Sequence, residues 1–251
     1  MMFKMKLISR ALDKTMRCLD IDRKYVKVNA LRRTFADNYY DHFLHSEIGV
    51  KKGYFVELGA NDGIRQSYTA FLEFYFGWGG VLIEPHLETF MQCVKNRSKH
   101  NRFSNSACVS FTYKEEHVEL FYADLMTVST HVENDGDVHR HVRDAQDNLP
   151  ESSRFGVFKA SAKTLNAILT QSESPQLMDL LVLDVEGAEL DVLKGLDHDY
   201  YRFRWILIES RNISSTTAYL LEKGYVYSNQ VSPRDYLFMD INVIKLANGR
   251  S

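Results

Sequence analysis

Four short apolar runs, each carrying a carboxylate at or near its end, set the limits on what this chain can fold into. They are Tyr54-Phe55-Val56-Glu57-Leu58, Val81-Leu82-Ile83-Glu84, Leu180-Leu181-Val182-Leu183-Asp184 and Trp205-Ile206-Leu207-Ile208-Glu209. Runs this short, apolar at consecutive positions, read as strands buried on both faces. Helical patterns follow them at Ser67 to Phe76, Leu87 to Lys99, Ala188 to Leu196 and Thr216 to Lys223, with a further one near Lys163 to Thr170. Strands alternating with helices predict a parallel sheet covered on both faces. The last two runs, Tyr225 to Ser228 and Tyr236 to Lys245, have no helix between them and predict an antiparallel hairpin at one edge. Ser106 to Ser110 and His117 to Ala123 also read as strands.

Two segments stand apart. Residues 1–49 read as an N-terminal helical extension. Leu7, Ile8, Ala11, Leu12, Met16 and Leu19 recur at helical spacing, and a second helix is expected from Leu31 to Ile48 with Leu31, Phe35, Tyr39, Phe43 and Leu44 on one face. The first 33 residues hold ten Lys or Arg against Asp13, Asp20 and Asp22. The expected reading is a helix packed on the body with a solvated basic face; peripheral contact with an anionic surface is the alternative. The stretch 129–154 is polar, without a clear period, and reads as a loop or lid in the domain formed by residues 50–251.

Composition removes several function classes. The formal charge is −2, so with a basic start the remainder is acidic and a poor match for nucleic acid. No stretch approaches the roughly 20 consecutive apolar residues of a membrane span. Cys18, Cys93 and Cys108 are odd in number and far apart, which fits a reducing, cytoplasmic setting rather than a disulfide framework.

Open α/β sheets bind ligands beyond the carboxyl ends of their strands, where strand order reverses. Those ends here carry Glu57 to Gly63, Glu84-Pro85, Asp184 to Glu189 and Glu209 to Asn212. Carboxylates accept hydrogen bonds from ribose hydroxyls and amines, attract cations and take protons; they repel phosphates. The first loop has Gly59, Asn61 and Gly63, without the GxGxxG spelling, and Glu84 follows Gly63 by 21 residues, near the offset of a ribose-binding acid. A dinucleotide such as NAD and S-adenosyl-L-methionine (SAM) both present such a ribose. Glu57 ahead of the loop disfavours a pyrophosphate and favours a sulfonium or ammonium.

These segments also resemble a known family. Phe55 to Gly63, Gly77 to Pro85 and Leu183 to Leu190, with Ser67, Thr69, Leu72, Glu73, Asn96-Arg97, Thr164-Leu165 and Glu209 in order, resemble the FkbM family of SAM-dependent methyltransferases over about residues 50 to 228. The resemblance implies a class I methyltransferase (Rossmann-like) fold, a seven-stranded mostly parallel sheet with helices on both faces. It further implies that Glu57, Gly59, Asn61, Gly63 and Ser67 lie at the methionine end of SAM, Glu84 and Pro85 at the adenosyl ribose, and Asp184 and Glu186 at the transferring methyl. The acceptor it implies is a hydroxyl of a saccharide or small metabolite. Tyr68 departs from the family pattern, which has a small polar residue there.

An alcohol acceptor needs a base or a metal. Asp184 or Glu186 is the candidate base, its pKa raised by acidic neighbours. Alternatively Asp184, Glu209 and Asn212 could hold a divalent cation through oxygen ligands. Glu186 and Glu189 could instead simply suit the N-terminus of the following helix. His86 could contact adenine or cap its helix. His131, His139 and His141 lack the partners of a zinc site and read as solvated loop. Two other functions are weighed against the methyltransferase: an NAD-dependent oxidoreductase and a non-catalytic interaction module of the same fold.

Overall fold

A computed structural model describes residues 34–50, 52–123, 126–129, 155–210 and 213–242. Seven strands form the main sheet: β1 (Tyr54–Leu58), β2 (Gly79–Ile83), β3 (Arg102–Ser104), β8 (Leu177–Leu183), β9 (Arg202–Glu209), β10 (Tyr225–Gln230) and β11 (Asp235–Asp240). Four others, β4 (Ala107–Val109), β5 (His117–Ala123), β6 (Met126–Ser129) and β7 (Phe155–Thr164), form a second, smaller sheet. Order across the main sheet is β10-β11-β9-β8-β1-β2-β3. Every pairing from β9 to β3 is parallel, and β11 is antiparallel to both neighbours. The chain therefore runs outward from β1 to one edge, then restarts at β8 on the other side of β1. That reversal between β1 and β8 is where such sheets open a crevice.

The strands are apolar at consecutive positions because both faces are covered. Val56, Leu58, Leu181, Leu183, Ile206 and Ile208 pack on α4 (Leu165–Gln171), α5 (Glu189–Leu193) and α6 (Ser214–Glu222) through Leu165, Ile168, Val192, Leu193 and Leu220. Phe55, Leu82, Leu180, Val182, Leu207 and Leu237 face the other way, onto α1 (Tyr40–Ile48), α2 (Tyr68–Phe76) and Cys93 of α3 (Leu87–Asn96). Each fully buried Leu, Ile or Phe in these layers contributes about 1.5–3 kcal/mol of transfer free energy.

Two expectations are corrected. The helix expected from Leu31 begins only at Tyr40. Asp41 is buried, and its carboxylate accepts the backbone N–H groups of Phe35 (2.7 Å) and Ala36 (3.4 Å) and the Thr34 hydroxyl (2.6 Å). These bonds fold residues 34–36 back onto the helix start, and Asn38 and Tyr39 turn the chain with positive φ of 48° and 63°. Leu31 lies outside the described residues. The second correction is the small sheet itself. Its central strand β7 pairs antiparallel with β5 and parallel with β4, and it takes in Lys163, expected to be helical. Val118, Leu120 and Ala160 bury one face of it.

Candidate active site

The parallel register places one residue of each central strand in a row at the carboxyl rim. Ile83 pairs with Leu58, Leu58 with Leu183, Leu183 with Ile208, and Ile208 with Tyr236. One residue further along lie Glu84, Gly59, Asp184 and Glu209, with Asp235 opposite Glu209. Strand spacing of about 4.8 Å makes these five positions near neighbours. Above the row lies a cleft of about 1050 Å³, its open mouth included. Glu57, Gly59, Asn61, Ser67, Glu84, Pro85, Asp184 and Glu186, all sequence candidates, line it together.

The loop after β1 is stitched from within. Asp62 Oδ1 accepts the N–H groups of Ile64 (2.9 Å) and Arg65 (2.8 Å), and its Oδ2 pairs with Arg65 Nε at 2.9 Å. Asn61 takes positive φ (48°), a conformation Asn tolerates, and its N–H donates to Glu84 Oε2 at 2.9 Å. The other Glu84 oxygen accepts the His86 N–H (2.8 Å) and the Thr89 hydroxyl (3.1 Å). Burial pushes the Glu84 pKa up; the three hydrogen bonds pull the other way without cancelling it.

Gly63 does not line the cleft. A Cβ there would lie 2.7 Å from Arg97 Cγ and 2.9 Å from Cys93 Sγ, so the glycine, at φ 79°, lets the loop pack on α3. Nor is Glu57 the free charge the sequence suggests. It is buried and accepts Ser67 Oγ (3.0 Å), Thr69 Oγ1 (2.5 Å) and Arg97 Nη1 (3.3 Å). The charge next to the cleft is therefore that of a cluster, two carboxylates (Glu57, Glu73) around one guanidinium, rather than of one lone acid. Ser67 serves the same cluster and also caps α2, accepting the Ala70 N–H at 3.1 Å.

At the other end of the cleft several acids gather around Asp184. Asp184 has its pKa raised well above the ordinary aspartate value, first by burial and then by Glu209, Glu186, Asp235 and Glu189. Glu186 sits at positive φ (52°), a strained setting for a non-glycine residue beside a cleft. Glu189 turns back from the first turn of α5 and accepts the Gly187 N–H at 2.9 Å, so it shapes the loop rather than lining the cleft. Glu209 lies in the row beside Asp184 but does not line the cleft. Among the described residues no three His, Cys, Asp or Glu converge as metal ligands, and Asn212 of the proposed metal set lies outside the described residues.

Further residues complete the site, of which Asp235, Ile83, Val118 and Leu120 were not singled out from the sequence. Tyr68 lines the cleft; burial and then Asp235, Glu209 and Asp184 raise its pKa, keeping the phenol protonated. Asp235, with its pKa raised by burial, comes from β11, far along the chain. Ile83, Cys108, Val118 and Leu120 give the cleft an apolar wall, partly from the small sheet. Burial pushes the Cys108 thiol up to about 12, so it acts as apolar surface. His86 holds the N-cap position of α3 without a side-chain cap bond, and its ring meets Phe158 edge-on at 5.1 Å. The loop histidines His131, His139 and His141 lie outside the described residues.

A seven-stranded sheet with one antiparallel strand next to the edge, an acid at the end of β2 and a cleft at the β1/β8 reversal define a class I methyltransferase fold. The sequence matches the model of the methyltransferase FkbM domain over residues 57–227, and the chain belongs to that family of enzymes. This membership sets aside the oxidoreductase.

Among solved structures, a METTL16 MTase domain (crystal form 2) is 15% identical with a TM-score of 0.41, covering 80% of this chain and 66% of that one. The human methyltransferase 10 domain containing protein gives 14% and 0.41, with 80% of each chain covered. The N-terminal domain of human METTL16 in complex with SAH gives 14% and 0.40, covering 80% and 68%. The present chain thus spans just under two thirds of the first of these. Family membership rests on the sequence match, and fold class on the strand order. No curated protein matches at a significant level.

Proposed function

We propose that the protein is a SAM-dependent O-methyltransferase acting on a hydroxyl of a saccharide, such as a surface-glycan precursor, or of a small metabolite. The observation that carries this reading is the shared cleft: Glu84, Gly59 and Asp184 stand side by side on three adjacent strands and line one cavity.

The residues present fit SAM. The cleft pairs a carboxylate flank with an apolar wall, and pockets for mixed ligands of this size combine the two. The Glu84 carboxylate, steadied by two backbone N–H groups, would accept hydrogen bonds from a ribose diol while Pro85 and Ile83 border the base. Glu57 and Ser67, with the Gly59–Asn61 turn, would line the methionine end, where the net-negative cluster suits an ammonium. When bound, SAM would supply an electrophilic methyl group on a sulfonium.

The chain's own task is to orient the acceptor and take its proton. Asp184 is the proposed base. Its raised pKa brings its basicity closer to that of an alcohol, and Glu186 beside it at the cleft is the second candidate. The acids at this end favour a neutral polyhydroxyl acceptor over a phosphorylated one or a nucleic acid. Among the described residues no helix is long and apolar enough to cross a membrane. On the three widely spaced cysteines we place the reaction in the cytoplasm. Residues 1–33 lie outside the described residues.

The test is a methyl-transfer assay with labelled SAM against a panel of neutral glycans and alcohol metabolites, comparing wild type with Asp184→Asn. Labelled methyl ether formed by wild type and lost in the variant supports the reading. Methylation of an amine or a nucleobase instead would overturn the acceptor class.

A further inference from the structure

We propose that Arg97, which does not line the cleft, is a positioning residue that fixes the cofactor end of the site from behind. The inference rests on the SAM reading above and goes beyond it, since that reading assigns Arg97 nothing.

Arg97 is 1% exposed, at the C-cap of α3, yet its whole guanidinium fork is used. Nε donates to Glu73 Oε2 at 2.9 Å, and Nη2 lies 2.8 Å from the same oxygen. Nη1 donates to Glu57 Oε2 (3.3 Å), the Gly63 carbonyl (3.1 Å) and Ser67 Oγ (3.2 Å). Nη2 also donates to Thr69 Oγ1 at 2.9 Å. One side chain thus ties together the end of β1, the end of the glycine loop and the first turn of α2. Glu57 and Ser67, two of the groups it holds, are cleft-lining residues.

The far side of the fork is anchored separately. Glu73 also accepts the Ser98 N–H (2.8 Å) and Asn101 Nδ2 (2.6 Å), and the Phe55 ring lies 5.3 Å from Arg97 Cζ. A planar five-donor fork is the group suited to so many fixed acceptors; Lys, with three rotatable donors, cannot reproduce it. A buried charge this thoroughly paired costs desolvation, and an apolar replacement would pack more cheaply if packing were its only use. What the pairing secures is a single orientation of the Glu57 carboxylate and of the Gly63 carbonyl before ligand arrives, which lowers the ordering cost of binding.

Thr69 offers a gentler perturbation than Arg97 itself. Its hydroxyl donates to Glu57 while accepting from Arg97, so Thr69→Val cuts that bridge and leaves the Arg97–Glu73 pair. Asn101→Ala is the control: it removes the bond to Glu73 and the acceptor of the Gly80 N–H in β2, and touches neither Glu57 nor the glycine loop. The readouts are the Kd for S-adenosylhomocysteine by calorimetry, measured well below each variant's Tm, and Tm itself. Arg97→Lys and Thr69→Val should weaken Kd roughly tenfold, the worth of one charge-assisted hydrogen bond. Asn101→Ala should lower Tm with Kd within about twofold of wild type. Should Arg97→Lys not fold, Thr69→Val decides. Unchanged Kd in folded Thr69→Val overturns the positioning role while leaving the SAM reading intact; no binding by wild type overturns both.

Discussion

Gly59 and Asp184 meet backbone to backbone: a Cβ on Gly59 would overlap the Asp184 carbonyl oxygen, and the Asp184 N–H donates to Leu58 at 3.3 Å. The proposed cofactor loop and the proposed base thus meet at one close junction between β1 and β8. Gly59 also takes φ of 74°, which a side chain disfavours. Gly59→Ala should therefore cost about 2–4 kcal/mol of stability, combining backbone strain with overpacking. Urea unfolding measures it; a loss below about 0.5 kcal/mol would mean that the junction is looser than described.

Asp184→Asn should separate chemistry from binding. Affinity for S-adenosylhomocysteine should stay within about threefold, while methyl transfer falls by about 100-fold or more, the usual contribution of a general base. Parallel calorimetry and turnover measurements check this. Equal losses in both would make Asp184 a binding residue.

The same variant should gain stability at neutral pH. The Asp184 pKa is raised in the fold, by burial and then by Glu209, Glu186, Asp235 and Glu189, so the folded state holds its proton to higher pH than the unfolded chain. Its contribution to stability is then fully present below the ordinary aspartate value and is lost as pH rises through the raised one. Asp184→Asn should be more stable than wild type at pH 7 to 8, with the difference shrinking as pH falls toward about 4. Turnover by wild type should rise across the window in which Asp184 ionises. Denaturation midpoints and rates measured against pH test both; a variant less stable at pH 8 contradicts the account.

Glu84→Gln leaves one acceptor oxygen where two carboxylate oxygens now serve the N–H groups of Asn61 and His86. One donor then faces an amide NH₂ in a buried site. The cost should be about 1–3 kcal/mol in stability, with S-adenosylhomocysteine affinity falling about tenfold or more. Thermal unfolding and calorimetry report the two effects.

Turnover should survive EDTA, since the proposed base needs no metal. Loss on chelation, with recovery on adding magnesium, would assign Asp184, Glu209 and Asn212 the role of oxygen ligands instead.

How much of this was legible in the sequence follows from the range of each interaction. The four doubly buried strands show because each holds a run of consecutive apolar residues, and parallel register then aligns their carboxyl ends without further information. Strand β7 was missed although Phe158, Ala160 and Ala162 pack on the inner face of the small sheet; its Lys and Ser residues and the polar stretch before it hid the alternation. The fate of Glu57 was not legible, because its partner Arg97 lies forty residues on and only the packing of α3 under Gly63 brings them together. Asp235 was invisible for a like reason: it joins the acid row by the antiparallel pairing of β11 with β9. The helix start at Tyr40 depended on Asp41, whose capping of Thr34 to Ala36 competes with the helical periodicity.

The central claim is that the row of carboxylates at the β1/β8 reversal forms a SAM pocket and not a dinucleotide pocket. Calorimetric titration of the full chain with S-adenosylhomocysteine and, separately, with NAD tests it most directly. The account predicts one-to-one binding of the homocysteine product with micromolar or tighter Kd, and no heat from NAD. Binding of NAD with none of the homocysteine product would contradict it.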